Sequence, residues 1–171
     1  MKKNKKRSST KSNNSRRSFL KLALGGTVSA SALYLGLTKD LYAAPSGPIV
    51  IGHQCELTGG FSSWGYWHDK CAKAAVKIIN DGGGIAGRKV KLAIEDTESN
   101  PAAGSRKLRS LIERRKASFV VGSVHSGIML ASIPIATELK TPYFSAGEAT
   151  EATGSKGSRY SFRTGTDTYA L

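Results

Sequence analysis

The chain has 171 residues, with 26 Lys/Arg against 12 Asp/Glu and a formal net charge of +14. Ten of the bases and one of the acids fall within residues 1–44, so residues 45–171 hold 16 bases and 11 acids, a net +5. The basic character belongs to the N-terminal segment, and charge gives no argument for nucleic acid as a partner.

That segment opens the chain order. Ser15-Arg16-Arg17-Ser18-Phe19-Leu20-Lys21 matches the twin-arginine export signal, with Arg16, Arg17, Phe19 and Leu20 as its defining positions. The apolar core behind it, Leu22–Leu37, is diluted by glycines, serines and a threonine. It is shorter than the about 20 apolar residues that span a bilayer. A short, weak core behind a basic region reads as an export signal rather than a membrane span. Tyr42-Ala43-Ala44 supplies the small residues of a cleavage site, and cutting is expected after Ala43 or Ala44. The expected division is a twin-arginine signal at 1–44 and a periplasmic domain at 45–171. The Tat translocase is the partner this leader implies.

Pro48–Gly52 is a continuous apolar run, as in a strand buried on both faces. Residues 59–65 read as a loop rich in glycine and serine that carries Phe61 and Trp64. A helix is expected over Trp67–Asn80, with Cys71, Ala75, Ile78 and Ile79 on its inner face and Lys70, Lys73 and Lys77 opposite. Gly82-Gly83-Gly84 stops it. Lys89–Glu95 alternates as a strand, and Pro101 suits the first turn of a helix to Lys116 with Leu108, Leu111 and Ile112 inward. Phe119–Gly122 is a third strand. Ile128–Lys140 is a third helix that Pro134 should bend, and Ser126 is its expected cap. Thr141–Ser145 and Tyr160–Arg163 complete five strands. Strands alternating with helices imply an α/β fold, a doubly wound parallel sheet covered on both faces. The turn between the third strand and third helix faces a strand's carboxyl end with free N–H groups, a ready place for a carboxylate or phosphate.

Other motifs carry less. Gly82–Gly87 matches G-x-G-x-x-G, but a helix precedes it and a strand follows, the reverse of the dinucleotide fingerprint. His53, His68 and His125 have no metal-site spacing, and Glu95, Asp96 and Glu98 lack that of a calcium loop. No cofactor or metal is expected. Arg106, Lys107, Arg109, Arg114, Arg115 and Lys116 surround an apolar stripe without interleaved aromatics, which reads as a solvated face. Cys55 and Cys71 could pair in an oxidising compartment or stay as two thiols.

The order of several motifs resembles the leucine-binding type of periplasmic substrate-binding protein, the branched-chain amino-acid ABC transport family. They are Ile51-Gly52…Leu57-Thr58-Gly59, Ile79–Arg88, Glu95–Glu98, Val121-Gly122-Ser123…Ser126, Thr141–Ser145 and Tyr160–Thr164. The resemblance implies a type I periplasmic binding fold, of which this chain holds most of the first lobe as a truncated form. It implies no enzyme, but capture of an amino acid, amide or small aromatic acid for an ABC permease. On this resemblance Ser126 and its N–H hold the ligand carboxylate, and Gly147 and Thr150 contribute a carbonyl and a hydroxyl. Trp64 walls the site. Ala149 stands where the family usually has Thr and Glu148 where a small residue is usual, with His125 in the grip loop. Both departures leave ligands other than leucine open. Two other readings remain: a ligand-sensing input domain of the same fold, and a twin-arginine-exported flavodoxin-like enzyme.

Overall fold

The computed structural model describes residues 47–169; the export signal and both cleavage positions lie outside the described residues. Five parallel strands are β1 (Ile49–Cys55), β2 (Val90–Asp96), β3 (Phe119–Gly122), β4 (Tyr143–Ser145) and β5 (Ser161–Arg163). They lie in the order β2-β1-β3-β4-β5. The helices are α1 (Ser62–Asp81), α2 (Pro101–Glu113) and α3 (Ser126–Glu138), and a 3₁₀ turn covers Thr150–Ala152. The expected α/β sheet is therefore present. No helix among the described residues is long and apolar enough to cross a membrane.

Crossover handedness decides which face each helix covers. The step from β1 to β2 runs one way across the sheet, and every later step runs the other way. Right-handed connections then place α1 on one face and α2, α3 and the 3₁₀ turn on the opposite face. The second face holds the core: Leu108, Leu111, Val120, Met129, Ile133, Ala136, Tyr143 and Ala152 are buried together. Full burial of a Leu side chain is worth about 1.5–3 kcal/mol, so Leu108 and Leu111 anchor α2 to the sheet. On the first face α1 covers β1 and β2 only. Helices thus flank the sheet on both faces as expected, and among the described residues none lies over β3–β5 on the first face.

Two further expectations shift. The first strand runs to Cys55, and α1 begins at Ser62, five residues before the expected Trp67, so Trp64 sits in a helical turn rather than a loop. Gly65 permits this. A Cβ there would lie 1.9 Å from Glu56 O, so only glycine lets α1 start against the end of β1. The inner face of α1 also differs from the expected one. Gly65, His68, Ala72, Val76 and Ile79 are its less exposed positions, while Cys71, Ala75 and Ile78 are exposed, Ile78 at 71%. The third helix continues through Pro134. Cys55 is a buried free thiol that donates to Gly65 O (3.2 Å), with burial pushing its pKa up to about 12; Cys71 is free and exposed.

Asp96 ties the loop after β1 to the end of β2. Its carboxylate accepts from the N–H groups of Leu57 (3.0 Å), Thr58 (3.2 Å) and Glu98 (2.9 Å), and from the Thr58 hydroxyl (2.7 Å). Partial burial pushes its pKa up, but these donors outweigh that and hold it below the ordinary carboxylate value. With a folded pKa below the unfolded one, the stabilisation is full above about pH 4 and is lost as pH falls through the folded pKa. Asp96→Asn is expected to lower stability by about 1 kcal/mol near neutral pH, discounted for solvent screening. In thermal melts at falling pH, the gap to the parent should close below about pH 4.

Candidate ligand-binding site

The strand order reverses between β1 and β3, and the chain beyond their carboxyl ends forms the crevice where ligands collect in open α/β sheets. Gly122 ends β3 at φ +124°, where a Cβ would lie 2.0 Å from Gln54 O, so the turn can start against β1. Ser123 follows in the left-handed region at φ +59°. Its hydroxyl donates to Glu56 Oε1 at 2.6 Å, and its carbonyl accepts from Ala146 N–H (3.1 Å) and from the Ser145 hydroxyl (2.8 Å). One serine thus joins the ends of β1, β3 and β4. A non-glycine residue held at positive φ is strained, and such strain collects at functional sites.

The cap of α3 is not the expected one. His125 is the N-cap, and its Nδ1 accepts from Gly127 N–H at 3.0 Å. An accepting Nδ1 leaves the proton of the neutral ring on Nε2. The same ring lies 4.6 Å from that of Phe61. Ser126 is the first helical residue, and its Oγ accepts from Glu148 N–H at 3.1 Å. The structure therefore brings His125, Ser126, Gly147 and Glu148 together, with Gly147 N–H donating to Ser145 Oγ at 3.1 Å. A Cβ on Gly147 would meet Met129 at 3.1 Å and Ser126 Cα at 3.2 Å, so the segment after β4 lies directly on the start of α3.

The remaining expected residues are placed differently. Trp64, 62% exposed, stands in the first turn of α1, at the carboxyl end of β1. Ala149 is buried, and its carbonyl accepts from Arg163 (3.4 Å). The Thr150 hydroxyl donates to Asp167 at 2.6 Å, and Asp167 pairs with Arg163 at 2.7 Å. The Glu148 carboxylate accepts from the Thr166 hydroxyl at 3.3 Å. Glu56 and Ser123 were not singled out from sequence as site residues. Glu56 is fully buried and its Oε2 has no partner in the described residues, but a Glu in the loop after a strand carries no such signal.

The arrangement can hold an anion. The N–H of Ser126 belongs to the first turn, where the helix cannot use it, and the helix dipole is positive there. Its Oγ adds a hydroxyl. No group of His, Cys, Asp or Glu among the described residues is placed to hold a metal. The basic helix lies elsewhere, lining a depression of about 680 Å³ with Glu95 and Glu113. Three of its cations are paired: Arg109 with Glu113 and Glu138, and Lys107 and Arg115 with Glu95.

A doubly wound parallel sheet with an anion-ready helix start at its switch point defines a ligand-binding lobe of periplasmic-binding-protein type. The family model described as "Periplasmic binding protein" matches residues 48–171, and the chain belongs to that family. Leu/Ile/Val-binding protein homolog 1 of Brucella abortus is 28% identical over 116 residues, covering 68% of this chain and 31% of the relative. Homolog 3 of Brucella melitensis is 33% identical over 110 residues, covering 64% and 28%. Among solved structures, LivJ of Streptococcus pneumoniae in complex with isoleucine is 29% identical, with a TM-score of 0.66 over 70% of this chain and 34% of that one. A solute-binding protein from Rhodopseudomonas palustris BisB5, in complex with 3,4-dihydroxybenzoic acid, is 27% identical with a TM-score of 0.62, covering 70% and 32%. The chain thus spans about a third of the length of the relatives it matches. These relatives are substrate-binding proteins rather than enzymes, and the family implies a periplasmic location.

The two serial roles at the start of α3 are separable. His125→Ala is expected to lower stability in thermal melts by about 1 kcal/mol, the value of an N-cap. Ser126→Ala should leave the melt near the parent's while Glu148 amide exchange quickens about fivefold, as a lost neutral hydrogen bond of about 1 kcal/mol implies. The reverse assignment would restore Ser126 as the cap.

Proposed function

We propose that this chain captures an amino acid, or a similar small carboxylate or amide, for an ABC permease. One observation carries the reading: the start of α3 and the segment after β4 are joined through Glu148 N–H and Ser126 Oγ at the carboxyl ends of the strands. A ligand carboxylate there would take the Ser126 N–H and the positive end of the α3 dipole. Gly147 supplies a main-chain contact beside it and Trp64 flanks it, while the Thr150 hydroxyl, which gives its proton to Asp167, has only acceptor capacity to offer. Support comes from relatives whose names or structures carry branched-chain amino acids and, in one case, an aromatic acid. The Glu148 carboxylate near this end favours a ligand bearing an ammonium or amide beside its carboxylate over a bare dianion.

Ser126→Asp tests the grip. Asp can still accept from Glu148 N–H, but it sets a charge against the ligand carboxylate. Titration of the chain with isoleucine and with 3,4-dihydroxybenzoate, followed by amide NMR shifts, should give a Kd of about millimolar, the weak affinity of one lobe's contacts. The shifts should centre on Ser126, Gly127, Gly147 and Glu148. In Ser126→Asp they should vanish at unchanged secondary structure. Equal binding by parent and variant would place the site elsewhere.

Export by the Tat translocase, with the leader removed after Ala43 or Ala44, belongs to the same proposal. It rests on Arg16-Arg17 ahead of the weak apolar core. Replacing both arginines by lysine should leave the protein in the cytoplasm in cell fractionation. Normal periplasmic levels of that double variant would remove the export claim.

A further inference from the structure

The segment after β5 is bound along the segment after β4, group by group. Thr164 donates its N–H (2.8 Å) and its hydroxyl (3.2 Å) to Ser145 O. A Cβ on Gly165 would lie 2.9 Å from Ala146 O, so the two backbones pass in contact. Thr168 donates its N–H (3.1 Å) and its hydroxyl (2.5 Å) to Glu148 O. Arg163 donates to Ala149 O, and the Thr150 hydroxyl donates to Asp167 Oδ1 at 2.6 Å. The residues that meet the start of α3 are thus held from behind by residues 163–168.

Among these contacts the one at Thr150 carries chemical information. Asp167 Oδ1 also accepts from Tyr169 N–H at 2.9 Å, and Oδ2 pairs with Arg163 at 2.7 Å. The Thr150 hydroxyl first, then the Tyr169 N–H and Arg163, hold the Asp167 carboxyl below its ordinary value against a small effect of burial. It is therefore ionised near neutral pH and can only accept. A hydroxyl has one proton and two lone pairs. With that proton committed to Asp167, the remaining capacity of Thr150 Oγ1 is to accept. Arg163 keeps the arrangement in place, because one guanidinium nitrogen takes Asp167 and another takes Ala149 O.

We infer that Asp167 sets the ligand class of the site: by taking the Thr150 proton it makes Thr150 read a ligand N–H, so that an α-amino acid is chosen over an acid of the same shape with an acceptor there. The inference rests on the function proposed above, in which Thr150 lies beside the ligand. The two ends of the site then make opposite demands. The Ser126 N–H gives a proton to the carboxylate, and Thr150 Oγ1 takes one from the ammonium next to it. A 2-oxo acid of the same carbon skeleton sets a carbonyl oxygen against an oxygen with no proton to give. A site built to bond an N–H rejects the analogue that lacks it, since its own polar group is left unpaired. Asp167 does this without touching the ligand; it is a positioning residue acting through Thr150.

Amide NMR titrations of the full chain with isoleucine and with 3-methyl-2-oxopentanoate, its 2-oxo analogue, test this. The parent should prefer isoleucine by about tenfold or more, as the loss of a hydrogen bond to a charged group implies. Asp167→Ala frees the Thr150 proton and should narrow the preference to about threefold or less, partly by tightening the oxo acid, which general loosening would not do. In a Thr150→Val background the same Asp167→Ala change should leave the preference where Thr150→Val put it, because the effect runs through the hydroxyl. Far-UV circular dichroism checks folding. If Asp167→Ala does not fold, Thr150→Val decides: it should weaken isoleucine by about tenfold and leave the oxo acid unchanged. Equal binding of the two acids by the parent would overturn the inference while leaving the proposed function standing. So would a preference indifferent to Asp167→Ala. An equal narrowing in the Thr150→Val background would overturn it too, since Asp167 would then act by its charge alone. Binding of neither acid would overturn the inference together with the function it rests on.

Discussion

The lobe depends on one buried amide. The Gln54 side chain leaves β1 on the core face, donates to Gly104 O at 2.7 Å and to Ser132 Oγ at 3.1 Å, and accepts from the Tyr143 hydroxyl at 2.6 Å. It therefore binds β1 to α2, to α3 and to β4 in a region where Gln54, Ser132 and Tyr143 are all fully buried. A satisfied polar network of this kind specifies one arrangement, because any shift of register strands a buried donor or acceptor. Burial also pushes the Tyr143 phenol well above its ordinary pKa, so it remains a donor at working pH. Directly beyond it, Glu56 and Ser123 continue the network to the ends of the strands. The candidate grip is thus rigidly founded: α3 begins where Ser123 pins β3 to β1 and β4.

Around that network, the strand order sets where the candidate site lies. The reversal between β1 and β3 opens the crevice in which α3 starts. The same reversal sends α1 to the face opposite α2 and α3.

Much of this was legible in the sequence. The five strands, three helices and parallel arrangement follow from apolar runs and glycine stops, and the reversed glycine motif after α1 was readable as a turn. What escaped reading has physical causes. The start of α1 was missed because Gly65 and the serines before it look like loop, whereas Gly65 is there for a close approach to Glu56 O. The inner face of α1 differs from the expected one because the helix has two apolar faces, and the one with Cys71, Ala75 and Ile78 is exposed. The cap fell one residue off because a histidine ring replaces the usual hydroxyl as acceptor at His125. Within the candidate site, the meeting of Ser126 with the Gly147–Glu148 segment was implied by resemblance alone; spacing could not supply a contact 22 residues apart. The commitment of Thr150 to Asp167 depends on where β5 returns the chain, which no local pattern encodes.

The central claim is that the first turn of α3 is the anion-binding end of a ligand site. A crystal structure of the chain grown with saturating isoleucine addresses it most directly. The account predicts the amino-acid carboxylate within hydrogen-bond distance of the Ser126 N–H and Oγ, over the segment from Gly147 to Glu148, with the His125 cap intact. Isoleucine ordered elsewhere, with the start of α3 left to solvent, would contradict it.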